Sequence, residues 1–261
     1  MLPSPASIPA PLVGHLASLN LPTPSALGAS FFDFPNTSLA KRAEEFVRKI
    51  LPAWAAHHSF RTYAFAIGIA NYAGWDTGDK AQELGFDKEL IFLACALHEI
   101  GFNPSAQKSP LSLELWGAIK ARQWLLDQTA QVVEECQGSR TAEAMTFWAD
   151  EVCEAIARHT IEFRDFSSRV RLTGALVTLG AGQDLMGLST KFMNPEDIKS
   201  ICETWPRLGY CDGLKAIAKI EVGNKPACLF EDCVAAFDPG MYGVACFDGL
   251  QGVLEKEKEE N

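Results

Sequence analysis

The sequence predicts an all-α fold, a single helical bundle, and three observations lead there. Apolar residues recur at helical spacing, as in Ala144, Phe147, Trp148, Val152, Ile156 and Ala157; such i, i+3, i+4 repeats mark the buried face of a helix. Glycine and proline separate these runs, at Gly74, Gly85, Gly101 with Pro104, Gly187, and Pro206 with Gly209. Alternating stretches of β-branched and aromatic residues are scarce, so little strand is expected.

Taken in order, residues 1–30 carry Pro3, Pro5, Pro9, Pro11, Pro22 and Pro24. They read as a proline-rich N-terminal arm, flexible or wrapped over the domain, with His15 exposed. The folded domain is expected over residues 31–250. Thr37 or Ser38 can cap a first helix through Lys41 to Ile50 by offering its hydroxyl to an unpaired backbone N–H. Further helices are expected at about 54–74, 87–100, 111–128, 140–160, 169–186, 194–204 and 210–223. Asn194 followed by Pro195 marks the start of one of these. Residues 251–261, rich in Glu and Lys, read as a charged, solvated tail.

At 261 residues, 48% hydrophobic and 21% charged, the chain can bury one substantial core. A net charge of −10 argues against nucleic acid as the main partner, because no basic surplus exists to neutralise phosphates. No apolar run is long enough to span a bilayer, and no secretory signal is visible, so a cytoplasmic protein is expected. The eight cysteines form no Cys-x-x-Cys pair and mostly lie in apolar surroundings. They read as small buried side chains in a reducing compartment.

The chemistry-bearing residues are dispersed. His58 lies in Ala-His-His-Ser-Phe-Arg, His98 and Glu99 in Leu-His-Glu-Ile-Gly, and Asp184 in Gly-Gln-Asp-Leu-Met-Gly. Each falls in an expected helix. Imidazoles and carboxylates on facing helices can hold one divalent metal and leave a position open for water. Two imidazoles with one or two carboxylates suit zinc or iron. On a regular helix the adjacent side chains of His98 and Glu99 diverge by about 100°. They can still share an ion that sits off the helix end, which Gly101 would supply, or over the seam between them. Singly, each of these residues reads as an ordinary core or surface side chain. Arg61 and Glu114 are candidates to orient such ligands or to form structural ion pairs. His57, Arg61 and Lys108 are candidate substrate contacts, with the loop 101–112 as a wall of the pocket.

Five segments, in order, carry a resemblance. They are His58-Ser59 with Arg61; Leu97-His98-Glu99-Ile100-Gly101; Ser112-Leu113-Glu114 with Gly117; Glu154-Ala155-Ile156 with Arg158-His159; and Trp205-Pro206-Arg207-Leu208-Gly209. From about Phe34 to Pro226 the chain resembles the HD-domain metalloproteins, and within them the fungal cyanamide hydratase-like branch. The resemblance implies an HD-domain helical bundle and a metal held by His58, His98, Glu99 and Asp184. It places His159 beside a small-molecule substrate as a proton relay, with His98 and Glu99 also in the catalytic group. The reaction implied is hydration of a nitrile-type carbon, cyanamide to urea. A homo-oligomer is also suggested on this ground alone.

One residue departs from the pattern: Glu99 stands where the family has Asp. Glu reaches about 1.5 Å farther, whereas ligand geometry tolerates about 0.5 Å. Three outcomes are open: Glu99 ligates after rotation, it withdraws and leaves three ligands, or metal binding is lost. The alternatives to a hydratase are a metal-free tailoring enzyme of small-molecule biosynthesis, an HD phosphohydrolase, and a binding protein without turnover.

Overall fold

The caps expected from sequence are where the helices begin. In a computed structural model, which describes residues 7–9, 11–137, 140–160 and 169–231, Thr37 Oγ1 accepts the Ala40 N–H at 3.1 Å and opens a helix over Ser38–Ile50. Asn194 accepts the Glu196 N–H at 2.9 Å, with Pro195 in the first turn of a helix over Pro195–Thr204. In chain order the elements are β1 (Ser7–Pro9), α1 (Leu12–Ser18), α2 (Ser38–Ile50), α3 (Ala53–Tyr72), α4 (Gly78–Leu84), α5 (Lys88–Leu97), α6 (Leu113–Asp127), α7 (Thr129–Glu135), α8 (Ala142–Arg158), β2 (Arg169–Arg171), α9 (Leu172–Met186), α10 (Pro195–Thr204) and α11 (Tyr210–Asn224). The architecture is an all-α bundle. The strand among the described residues is one short antiparallel pair, with Ile8 opposite Val170.

Three helices make the interior. α3, α5 and α9 are buried on nearly every face, the condition in which a helix is apolar all round rather than amphipathic. α3 packs against α9 and α5, and α6 against α8. Small residues set the spacing: a Cβ on Gly180 of α9 would lie 2.2 Å from the Thr62 carbonyl oxygen of α3. By contrast α2 is amphipathic: Leu39, Ala40, Ala43 and Val47 face the core and its other side is exposed. No helix among the described residues is long and apolar enough to cross a membrane.

The N-terminal arm is wrapped rather than free over its described part. Ile8 of β1 is buried, and so are Leu12 and Leu16, which stand four residues apart on one face of α1. β1 pairs with β2, and the Leu27 and Gly28 N–H groups donate to the Asp197 carboxylate at 2.9–3.2 Å. His15, expected to be exposed, is half-buried and stacks on Trp75 at 6.2 Å.

Other boundaries also differ. The helix expected over 87–100 stops at Leu97, and residues 169–171 form β2 before α9 begins. The short helices α1, α4 and α7 were not foreseen; each has only seven residues, too few to show a helical repeat. Cys233, Cys246, residues 232–250 and the charged tail lie outside the described residues.

Candidate metal centre

His58 and Arg61 stand three residues apart on α3, so they share a face. Across from them α5 ends at Leu97. His98 follows as the C-cap, still helical (φ −64°, ψ −26°), while Glu99 (φ −97°, ψ 8°) leaves the helix. That backbone change removes the expected divergence of the two side chains. The chain then tightens into a short turn over Ile100–Phe102. Gly101 permits the turn to pack on α6, since a Cβ there would meet the Leu113 carbonyl oxygen at 2.2 Å.

The result is a convergence of three donor atoms. His58 Nε2 lies 3.2 Å from His98 Nε2, and Glu99 Oε1 lies 3.3 Å from the first and 3.2 Å from the second. His58 and His98 are each 1% exposed, and Glu99 5%. These three residues form a group that can hold a metal ion. Ligand atoms about 2.0–2.2 Å from a tetrahedral ion stand roughly 3.3–3.5 Å apart, so the spacing fits.

The protons on the imidazoles are decided from behind. His58 Nδ1 donates to Asp184 Oδ2 at 2.6 Å. His98 Nδ1 donates to the Cys95 carbonyl at 2.7 Å. Both acceptors lack a hydrogen of their own, so each Nδ1 carries a proton, and a ring in its neutral form turns the Nε2 lone pair inward. Three lone-pair donors therefore face one point. Such an arrangement is repulsive unless a proton or a cation sits among them.

The electrostatics point the same way. Burial disfavours a charged His58, but hydrogen bonds to Asp184 and Glu99 outweigh it and raise its pKa. Burial also opposes ionisation of Glu99, and the neighbouring His98 and His58 outweigh it, holding the carboxylate well below the usual range. A site that favours a proton on His58 favours a metal cation for the same reason.

Asp184 occupies a different place from the expected one. The sequence reading made it a ligand, but it stands on the Nδ1 side of His58 and lies outside the three-donor group. Both its oxygens are engaged: Arg61 donates Nε to Oδ1 at 2.7 Å and Nη2 to Oδ2 at 2.8 Å, and Arg207 Nη2 reaches Oδ1 at 3.1 Å. Burial opposes its charge, yet Arg61 and His58 hold the carboxyl far below its ordinary pKa. In this structure its oxygens hold His58, Arg61 and Arg207 rather than facing the three-donor group.

The expected substrate contacts also move. Arg61 is fully buried and committed to Asp184 and, through Nη1, to the Trp205 carbonyl at 2.7 Å. His57 is half-buried, with Nδ1 2.9 Å from the Pro206 carbonyl. Lys108 is exposed. These side chains brace the bundle or face solvent instead of lining the centre.

His159 does lie at the centre. It caps α8, its ring stands perpendicular to that of His98 at 5.1 Å, and its Nδ1 donates to the Ile156 carbonyl at 2.7 Å. Burial above all, with the neighbouring His98 adding to it, lowers its pKa to about 4. It is thus a neutral acceptor at Nε2 near neutral pH, not the half-charged relay expected from an ordinary histidine.

Two contributors were not singled out from the sequence. Tyr210 stacks on His58 with ring centroids 4.5 Å apart. Arg207 secures Asp184, donating both to its carboxylate and to its backbone carbonyl at 2.5 Å. Both belong to the Trp205–Tyr210 segment, whose first five residues carried part of the resemblance, and that was the available signal. No protein-family model matches this chain, and no curated protein matches it.

Proposed function

We propose that this protein is an HD-type metal-dependent hydro-lyase that adds activated water to a small, electrophilic, nitrile-type substrate such as cyanamide. The observation that carries the reading is the convergence of His58 Nε2, His98 Nε2 and Glu99 Oε1 at 3.2–3.3 Å, with both imidazole protons turned outward. A divalent zinc or iron ion held there would supply water acidic enough to act as a nucleophile near neutral pH.

The chain's own residues then have distinct tasks. Asp184 and the Cys95 carbonyl keep the two rings in the tautomer that ligates. Arg61 and Arg207 keep Asp184 ionised and fixed. His159 Nε2 is a neutral acceptor that orients a water or substrate hydrogen. The burial of the donors suits a small substrate and excludes bulk water.

Glu99 supports the reading rather than opposing it, because its oxygen stands nearly equidistant from both imidazoles. A phosphohydrolase would need free cations for phosphate, and Arg61 is committed to Asp184 and to backbone carbonyls. A metal-free acid–base enzyme is the second reading, favoured by the bias of His58 toward its protonated form. The test is urea formation from cyanamide by the purified protein, with and without a chelator. Activity lost with the metal and restored by zinc or iron supports the hydratase. Activity indifferent to the chelator, on this or another small substrate, supports the metal-free reading.

A further inference from the structure

Glu114 is a buried carboxyl that neither the packing nor the metal centre uses. It lies in the first turn of α6 and is wholly shielded from solvent. Oε1 accepts from the Thr160 hydroxyl at 3.3 Å, and Oε2 has no partner among the described residues. Other buried carboxylates here are paired. Glu221 takes the Leu113 N–H at 2.9 Å and the Lys225 ammonium at 2.8 Å. Glu89 takes Thr37 and Arg140. A buried carboxylate left with an empty oxygen is costly, whereas a neutral carboxyl has a proton to place there.

Its surroundings put it beside the centre. The start of α6 packs on the turn that follows Glu99, with Gly117 directly against Gly101. Thr160, its hydrogen-bond donor, is the residue after His159. The charged groups acting on it from neighbouring elements are Glu221 of α11 and Glu99, both negative. Cys228 is also within reach of its field. Lys225 is committed to Glu221 and to the carbonyls of Ala106 and Leu111.

Building on the proposed hydration, we propose that Glu114 is the acid that protonates the substrate nitrogen. As the water oxygen bonds the nitrile-type carbon, one carbon–nitrogen π bond opens. The Glu114 O–H breaks and its proton passes to nitrogen. The proton released by the water returns to the Glu114 carboxylate, so the acid is regenerated and nothing is oxidised or reduced. Burial above all, with the two carboxylates adding to it, supports the neutral form by raising the pKa to about 7.

The test joins two readouts on the metal-loaded, full-length protein. The infrared carbonyl band of a protonated carboxyl is followed against pH in wild type and Glu114→Gln, and cyanamide turnover is followed in the same samples and in Glu114→Asp. The expected result is a band in wild type that fades near pH 7 and is absent from Glu114→Gln. With it come a fall in kcat of about 100-fold or more in Glu114→Gln at unchanged metal content, and partial activity in Glu114→Asp. Full activity in metal-loaded Glu114→Gln, or no protonated band in wild type at pH 6, overturns the proposal. If Glu114→Gln does not fold, the wild-type band and the alkaline limb of turnover in Glu114→Asp decide it. A band without hydration of cyanamide by wild type supports the protonated acid and sinks the hydration reading.

Discussion

Asp184 Oδ2 lies 2.6 Å from His58 Nδ1, and this contact decides which nitrogen of His58 faces the centre. The carboxylate can do so because Arg61 grips it with two nitrogens and Arg207 with a third contact. The placement of His58 in the three-donor group thus depends on a residue that stands outside that group.

Replacing Asp184 with Asn separates orientation from charge. The amide leaves the fully buried Arg61 without its counter-charge, a change that typically costs about 3 to 5 kcal/mol. It also frees the His58 tautomer, so metal affinity falls about 10- to 100-fold. Urea unfolding and competition with a chelating dye would show the two effects together. Unaltered metal affinity in a folded variant would remove the orienting role.

Glu99 supplies a test of side-chain length. Its oxygen already meets both imidazoles, so Glu99→Asp withdraws it by about 1.5 Å. Metal affinity is therefore expected to fall rather than rise, because ligand placement tolerates about 0.5 Å. Titration with zinc in both proteins checks this; tighter binding by the Asp variant would show that the backbone here is set for the shorter side chain.

Glu114 makes stability depend on pH in a direction opposite to that of most carboxylates. Its pKa rises from 4.5 to about 7 on folding. The native state therefore binds more protons than the unfolded chain between these values, and its contribution to stability is full below pH 4.5 and lost as pH rises through 7. The shift amounts to about 3 kcal/mol as an upper figure. Glu114→Gln removes this dependence, so relative to wild type it gains stability between pH 5 and pH 8. Urea unfolding at the two pH values would reveal the gain, and parallel pH profiles would contradict it.

Gly180 tests the helix crossing that brings Asp184 to His58. An added Cβ would lie 2.2 Å from the Thr62 carbonyl, and backbone has little room to yield. Gly180→Ala is expected to destabilise the fold by about 3 kcal/mol or more and to loosen metal binding. A melting temperature equal to that of wild type would show that α3 and α9 separate without penalty.

Much of this was legible in the sequence, for physical reasons that vary by residue. Thr37 and Asn194 announced their helices because a cap is a local hydrogen bond. His58, His98 and Glu99 were found because their types and order carry the chemistry. Asp184 was found as well, but the sequence could not say on which side of His58 it would stand; that depends on how close Gly180 lets α9 approach α3. Glu99 was placed on a helix that ends two residues earlier. Arg61 was already a candidate for an ion pair, but its partner Asp184 and the role of Arg207 were hidden, because these contacts join residues more than twenty positions apart along the chain.

The measurement that tests the central claim most directly is the metal content of the purified, chelator-free protein, compared with His98→Ala. The account predicts about one zinc or iron ion per chain in wild type, and loss of that ion in a variant that keeps its helical circular dichroism. A folded wild-type protein that carries no metal, and takes up neither zinc nor iron on addition, would contradict it.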